Sequence, residues 1–188
     1  MFIYRIIEIY FVLILIILVS PIFFLISFIL FFYNRGNIFY ISKRIGYKNI
    51  IFKMYKFRSM KINSPELATH LLASQEQYIT KFGNFLRRFS LDEIPQLYNI
   101  LKGDMTFIGP RPALFNQFDL IKLRSQNSIQ LIKPGITGWA QINGRDNLTI
   151  KQKVEMDIYY YKNKSLLLNF KILFLTVYRV FIGKDIKH

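Results

Sequence analysis

Two adjacent carboxylates and a nearby run of arginines are the residues of this 188-residue chain best suited to chemistry. Asp92 and Glu93 stand in Ser90-Leu91-Asp92-Glu93-Ile94-Pro95, with Arg87 and Arg88 within five residues of them. Paired carboxylates can act as nucleophile and acid/base, or as oxygen ligands for Mg²⁺. Arginines beside them would neutralise an anionic substrate that the acids alone would repel, as phosphate transfer requires. The plainer reading is two acids at a helix start. Pro95 sets the register there: the first N–H groups of a helix have no internal partner, so proline costs nothing at the first three positions. That predicts Asp92 at or near the N-cap, where the positive end of the helix dipole favours anionic side chains.

A second candidate is Gly109-Pro110-Arg111-Pro112. Each proline pushes its predecessor toward extended geometry, so Arg111 is expected on a short, stiff loop, where a bidentate phosphate contact costs less entropy. A purely structural turn explains the tetrapeptide equally well. Asp104, just past Gly103, reads as a cation ligand or a turn residue. Other chemistries are excluded. With no Cys there are no thiol nucleophiles, disulfides or Cys-based zinc sites. The two His, at 70 and 188, are too far apart in sequence to suggest a metal centre, and no Walker A, GxGxxG or HExxH pattern is present.

The elements that must position these residues begin with a membrane segment. Ile9 to Phe32 is free of formal charge and, at about 1.5 Å per residue, long enough to cross a hydrocarbon core of about 30 Å. It is too long for a signal-peptide core, and no small-residue cleavage site follows it. Ser20-Pro21 lies at its midpoint, and a proline there predicts a bend or break. A neighbouring Ser hydroxyl can take the carbonyl that proline frees. Two readings follow: a kinked helix that crosses, or a helix that breaks and returns to the same face. Arg35, Lys43, Arg44 and Lys48 after the segment place the bulk of the chain in the cytoplasm by the positive-inside rule.

Beyond it, residues 37–42 and 50–57 read as two strands around a Gly-containing turn. Helical spacing predicts one helix between Gln75 and Phe89 and another carrying Ile94, Leu97, Tyr98 and Leu101, with Gly103 as its C-terminal cap. Thr106–Pro112 is an apolar stretch, 133–145 a loop with a strand in it, 151–164 a helix, and 165–182 an apolar helix suited to a core or a membrane interface. The plan is a membrane segment over 1–37 joined to one compact α+β domain over 38–188. The charge is +15 with 52% hydrophobic residues, which rules out disorder and leaves anionic lipid or nucleic acid as partners for the basic, aromatic stretch after residue 35.

Taken in order, the motifs resemble the bacterial sugar transferases, monotopic phosphoglycosyl transferases that start glycan assembly on polyprenyl phosphate. They are Ser20-Pro21, Lys56-Phe57-Arg58-Ser59-Met60, Leu86 through Leu97, Asn99, Lys102-Gly103-Asp104-Met105, Gly109-Pro110-Arg111-Pro112, Lys133 through Gln141, Gly144-Arg145 and Asp157-Ile158-Tyr159-Tyr160. This covers most of the chain, and the length is similar to that of members consisting of little beyond a catalytic core. The resemblance implies Asp92 as the nucleophile on a UDP-sugar, UMP as leaving group, and an aspartyl phosphosugar that polyprenyl phosphate then attacks. Glu93 would assist with Mg²⁺, shared with Asp92, or with proton handling. Arg58, Arg87, Arg88, Pro110, Arg111, Pro112 and Arg145 would contact substrate.

The resemblance further implies that Ser20-Pro21 folds the membrane helix into a re-entrant hairpin, with the catalytic domain and interfacial amphipathic helices on the cytoplasmic face of a bacterial inner membrane. Its partners would be UDP-sugar, polyprenyl phosphate, lipid and other glycan-assembly enzymes, with no nucleic acid. The rival expectation is a membrane-anchored basic protein that binds anionic lipid or nucleic acid without catalysis. The chain departs from the family pattern at Glu8 in Tyr4-Arg5-Ile6-Ile7-Glu8, and at Ser42, Asp146, Ile150 and Asn169.

Overall fold

The computed structural model describes residues 2–64, 77–144 and 147–182. Arg145 and Asp146 lie outside them, as do Gln75 and Glu76 at the start of the first expected helix. The chain divides into two compact units, the first holding the chain up to Ile41 with Tyr55–Gly103, the second Ser42–Met54 with the chain from Asp104 on.

In the first unit α1 runs from Phe2 to Tyr33 with Pro21 inside it. The expected helix–break–helix is therefore not an interruption of the helical backbone. Proline at 21 leaves the carbonyl of Ile17 without its usual N–H, and Ser20 Oγ donates to that carbonyl at 2.8 Å. Among the described residues α1 is the one helix long and apolar enough to cross a membrane. Much of its surface is bare of protein, with Ile17, Leu18, Phe24, Leu25 and Phe28 exposed, and water is a poor solvent for such a face.

Each end of α1 is tied into this unit. Ile26 and Leu30 pack with Phe57 and Leu86, flanked by Phe23, Ile38, Phe82, Leu91 and Ile94. At the other end Arg5 Nη2 donates to Ile100 O (2.7 Å) and Leu101 O (3.0 Å), while Arg5 Nη1 bonds Glu8 Oε2 at 2.7 Å. Those carbonyls close α3 (Gln96–Lys102), whose cap Gly103 adopts φ 95°, as expected. Glu at position 8 thus supports Arg5 across one helical turn.

α2 spans Lys81–Arg88, shorter than the periodicity suggested. Thr80 starts it by accepting from the N–H of Gly83, and Ile79 pairs with Met60 in an isolated antiparallel bridge, which holds the preceding residues extended. A Cβ at Gly83 would lie 1.9 Å from Ser59 O, so only glycine lets this helix sit against the end of the 56–60 motif.

The two expected strands form as β1 (Phe39–Ile45) and β2 (Ile51–Phe57), paired as a two-stranded sheet. The second unit is built around two three-residue strands, β3 (Thr106–Ile108) and β4 (Gly135–Thr137), parallel with Thr106 opposite Gly135 and Ile108 opposite Thr137. The described residues of this unit also form α4 (Phe118–Gln126), α5 (Trp139–Ile142), α6 (Ile150–Asn163) and α7 (Leu166–Ile182), the last packed against both strands. Thr149 and Gln152 form a capping box that starts α6. Ile108, Ile142, Tyr160 and Ile172 make one core; Ala113, Leu120 and Val154 make another. Tyr160 is buried with its hydroxyl directed at Asn169 Oδ1 (3.0 Å) and Ile108 O (3.3 Å), and burial pushes its pKa up to about 12. α7 is apolar on both faces. Ile172 is buried, while Leu167, Phe170 and Phe174 are exposed.

Candidate active site

Asp92 and Glu93 sit in a 3₁₀ turn, Leu91–Glu93, between α2 and α3. This corrects the expected N-cap placement: α3 begins at Gln96 with Pro95 before it, so the acids precede the helix by a turn. Pro95 still falls where its missing N–H costs nothing, which is why the register argument located the helix start but not the tighter turn ahead of it. Ser90 enters the turn in the left-handed region, φ 53° and ψ 20°, uncommon for a residue with a Cβ. Both acids are buried, 6% and 7% exposed. Carboxylates so far from water need a counter-charge.

Lys56 of β2 supplies one. Its Nζ donates to Glu93 Oε1 at 2.7 Å and lies 3.5 Å from Asp92 Oδ2. Sequence reasoning placed Lys56 in the 56–60 motif and among the basic residues near the membrane, but gave it no role in the site. A signal was available, because Lys56 has the strand parity of Phe52 and Met54, both buried, and a lysine in that phase points where core residues point. The same region buries Gln96 and Asn99, 1% and 0% exposed. Asn99 Oδ1 accepts from Tyr55 N at 3.0 Å and so ties α3 to β2, whereas Gln96 Nε2 has no hydrogen-bond partner among the described residues.

The other expected site residues of this unit lie in α2 and just past β2. Arg87 and Arg88 form the last turn of α2, with the Arg88 guanidinium 5.7 Å from the Phe89 ring centroid. Arg58 Nη2 donates to Phe39 O at 3.2 Å. In the second unit Pro110, Arg111 and Pro112 follow β3 as an irregular segment, with both prolines buried and Arg111 half-buried. The expectation of a stiff loop there is met by its hydrogen bonds: Pro110 O accepts from Gly135 N (3.0 Å) and Arg111 O from Arg124 Nη1 (2.8 Å). Gly109 and Gly135 pack backbone to backbone, a Cβ on Gly135 falling 2.1 Å from Gly109 N. This explains why the Lys133-Pro134-Gly135 and Gly109-Pro110-Arg111-Pro112 motifs each need a glycine.

Adjacent carboxylate oxygens are the donor type a hard divalent cation takes, so Asp92 and Glu93 fit Mg²⁺ chemically. No group of three or more His, Cys, Asp or Glu that could hold a metal occurs among the described residues. A cation at this pair would therefore draw further ligands from water or substrate phosphate.

Comparison with known proteins adds to this geometry. The family described as bacterial sugar transferase matches residues 1–183. The uncharacterized sugar transferase EpsL of Bacillus subtilis (strain 168) is 40% identical over 150 residues, 80% of this chain and 73% of that protein. The UDP-glucose:undecaprenyl-phosphate glucose-1-phosphate transferase of Escherichia coli (strain K12) is 36% identical over 174 residues, 89% of this chain but 38% of that protein. The UDP-N-acetylgalactosamine-undecaprenyl-phosphate N-acetylgalactosaminephosphotransferase of Aeromonas hydrophila is 36% identical over 156 residues, 80% of this chain and 37% of that protein.

Proposed function

Because this chain belongs to the bacterial sugar transferase family, we propose that it moves a sugar 1-phosphate from a UDP-sugar to polyprenyl phosphate and releases UMP. The observation that carries the proposal is the buried Asp92–Glu93 pair held by Lys56. Relatives named as undecaprenyl-phosphate sugar-phosphate transferases support the substrate classes, though this chain spans under two-fifths of their length.

In this reading an Asp92 carboxylate oxygen attacks the β-phosphorus of the UDP-sugar. The bond from that phosphorus to the bridging oxygen breaks, and its electron pair leaves with UMP. An oxygen of polyprenyl phosphate then attacks the same phosphorus, breaking the bond to Asp92 and restoring the carboxylate. Glu93 would help Asp92 hold a cation or would handle a proton. Mg²⁺ bound at the pair would neutralise diphosphate charge that otherwise repels the nucleophile. Lys56 keeps Glu93 in place between turnovers, and Arg111 holds nucleotide or phosphate through its fork. Purified protein mixed with undecaprenyl phosphate and either UDP-glucose or UDP-N-acetylgalactosamine should release UMP from at least one of a panel of UDP-sugars that includes these two. No release from any member of the panel would favour the non-catalytic lipid-binding reading. Arg111→Lys should lower kcat/KM about tenfold or more despite the retained charge, since bidentate geometry is lost; wild-type kinetics would show that Arg111 does not contact substrate.

The same proposal places α1 in the cytoplasmic leaflet of the inner membrane as a re-entrant segment bent near Ser20-Pro21. Support comes from its two ends. A straight helix would hold Arg5 about 37 Å from Leu30, on the far side of a bilayer, yet Arg5 bonds the end of α3 while Leu30 packs with Leu86 of the same unit. Single Cys residues at the N-terminus and near residue 40 should label from the same side, and a spin label at position 18 should sit deep in the bilayer. Opposite-side labelling would restore a crossing helix.

A further inference from the structure

We infer that Arg124, held by Asp157, is a positioning residue that fixes the Arg111 loop for nucleotide binding. Four consecutive carbonyls of that loop are all engaged. Pro110 O accepts from Gly135 N (3.0 Å) and Ala113 O from Ile45 N (2.9 Å), both main-chain donors of neighbouring strands. The two between them are held by side chains, Arg111 O by Arg124 Nη1 (2.8 Å) and Pro112 O by Arg44 Nη1 (3.2 Å). Pro110 and Pro112 have no N–H to give, so the loop is fixed through its acceptors.

Arg124 is suited to this in a way its ion pair alone does not require. It closes α4, and its Nε and Nη2 both donate to Asp157 Oδ2, at 2.9 and 2.7 Å. That fixes the guanidinium plane and turns Nη1 toward Arg111 O. The side chains are 11% and 2% exposed. A buried ion pair is seldom a better source of stability than apolar residues of the same volume, but a rigid planar fork can brace a carboxylate with two donors and aim a third at a carbonyl. Burial raises the Asp157 pKa and the Arg124 charge opposes that rise. Without Arg124, the peptide joining Arg111 to Pro112 loses the contact that sets its plane, and the Arg111 side chain moves with it. The inference rests on the reading of Arg111 as a nucleotide or phosphate contact.

The test uses the full-length protein with Arg124→Lys, Arg111→Ala and the double variant, titrated with UDP by calorimetry and assayed for UMP release. Lysine keeps a positive charge for Asp157 but loses the fork. Arg124→Lys should raise KM for the UDP-sugar and Kd for UDP by about tenfold, with kcat within about twofold, and should add nothing further in the Arg111→Ala background. Asp157→Asn, which removes the carboxylate charge that holds the guanidinium plane, should shift KM and Kd in the same direction and serves if Arg124→Lys does not fold. Equal effects of Arg124→Lys with and without Arg111, or an unchanged KM, would overturn the inference while leaving the role of Arg111 intact. An Arg111→Ala variant that binds UDP as tightly as wild type would overturn both.

Discussion

Asp92→Asn should abolish UMP release, lowering kcat by about a thousandfold or more while leaving the protein folded. The substitution is nearly isosteric and keeps a hydrogen-bonding group beside Lys56, so its effect isolates the loss of a nucleophilic oxygen. Intact-protein mass after exposure to UDP-sugar alone, without lipid acceptor, should show a phosphosugar adduct on the wild type and none on the variant. An adduct that persists in Asp92→Asn would place the nucleophile elsewhere. Full activity in the variant would remove covalent catalysis by this residue altogether.

Lys56→Met should produce the second large effect, on stability as well as turnover. Methionine keeps the aliphatic stem and removes the ammonium, leaving two carboxylates, each less than a tenth exposed, without that counter-charge. Breaking a buried ion pair from one side costs about 3 kcal/mol or more. The melting temperature should fall, and millimolar Mg²⁺ should recover part of the loss in Lys56→Met but little in Lys56→Met combined with Asp92→Asn and Glu93→Gln. A melting temperature equal to wild type without divalent cation would show that Lys56 does not compensate the pair. Recovery by Mg²⁺ in the triple variant would place the cation elsewhere.

What the sequence made legible here follows from how local each feature is. The strand pair around Gly46, the Gly103 cap and the Ser20 hydroxyl at the Ile17 carbonyl depend on a few neighbouring residues, and each was readable from them. The position of the acids was half readable. Pro95 set where α3 could begin, but the left-handed Ser90 that winds the preceding residues into a tighter turn left no mark in residue type. Lys56 was half readable too: it opens a motif that was recognised, but composition groups it with the surrounding lysines and nothing local assigns it to the carboxylates. α4 escaped notice because its sequence has little amphipathic periodicity, although one of its residues, Arg124, braces a motif that was recognised at once. Residues that hold a site in place answer to the geometry of distant segments, so their type alone is a weak guide.

The Ser20 contact also bears on the membrane itself. A carbonyl stripped of its partner in the middle of an apolar slab draws water inward, and a file of water at that depth lowers the barrier to ions. With Ile17 O already satisfied by the Ser20 hydroxyl, α1 would carry its proline into lipid without a wet defect. An anchor of this kind can hold a charged reaction against one leaflet while the bilayer beneath it stays electrically tight.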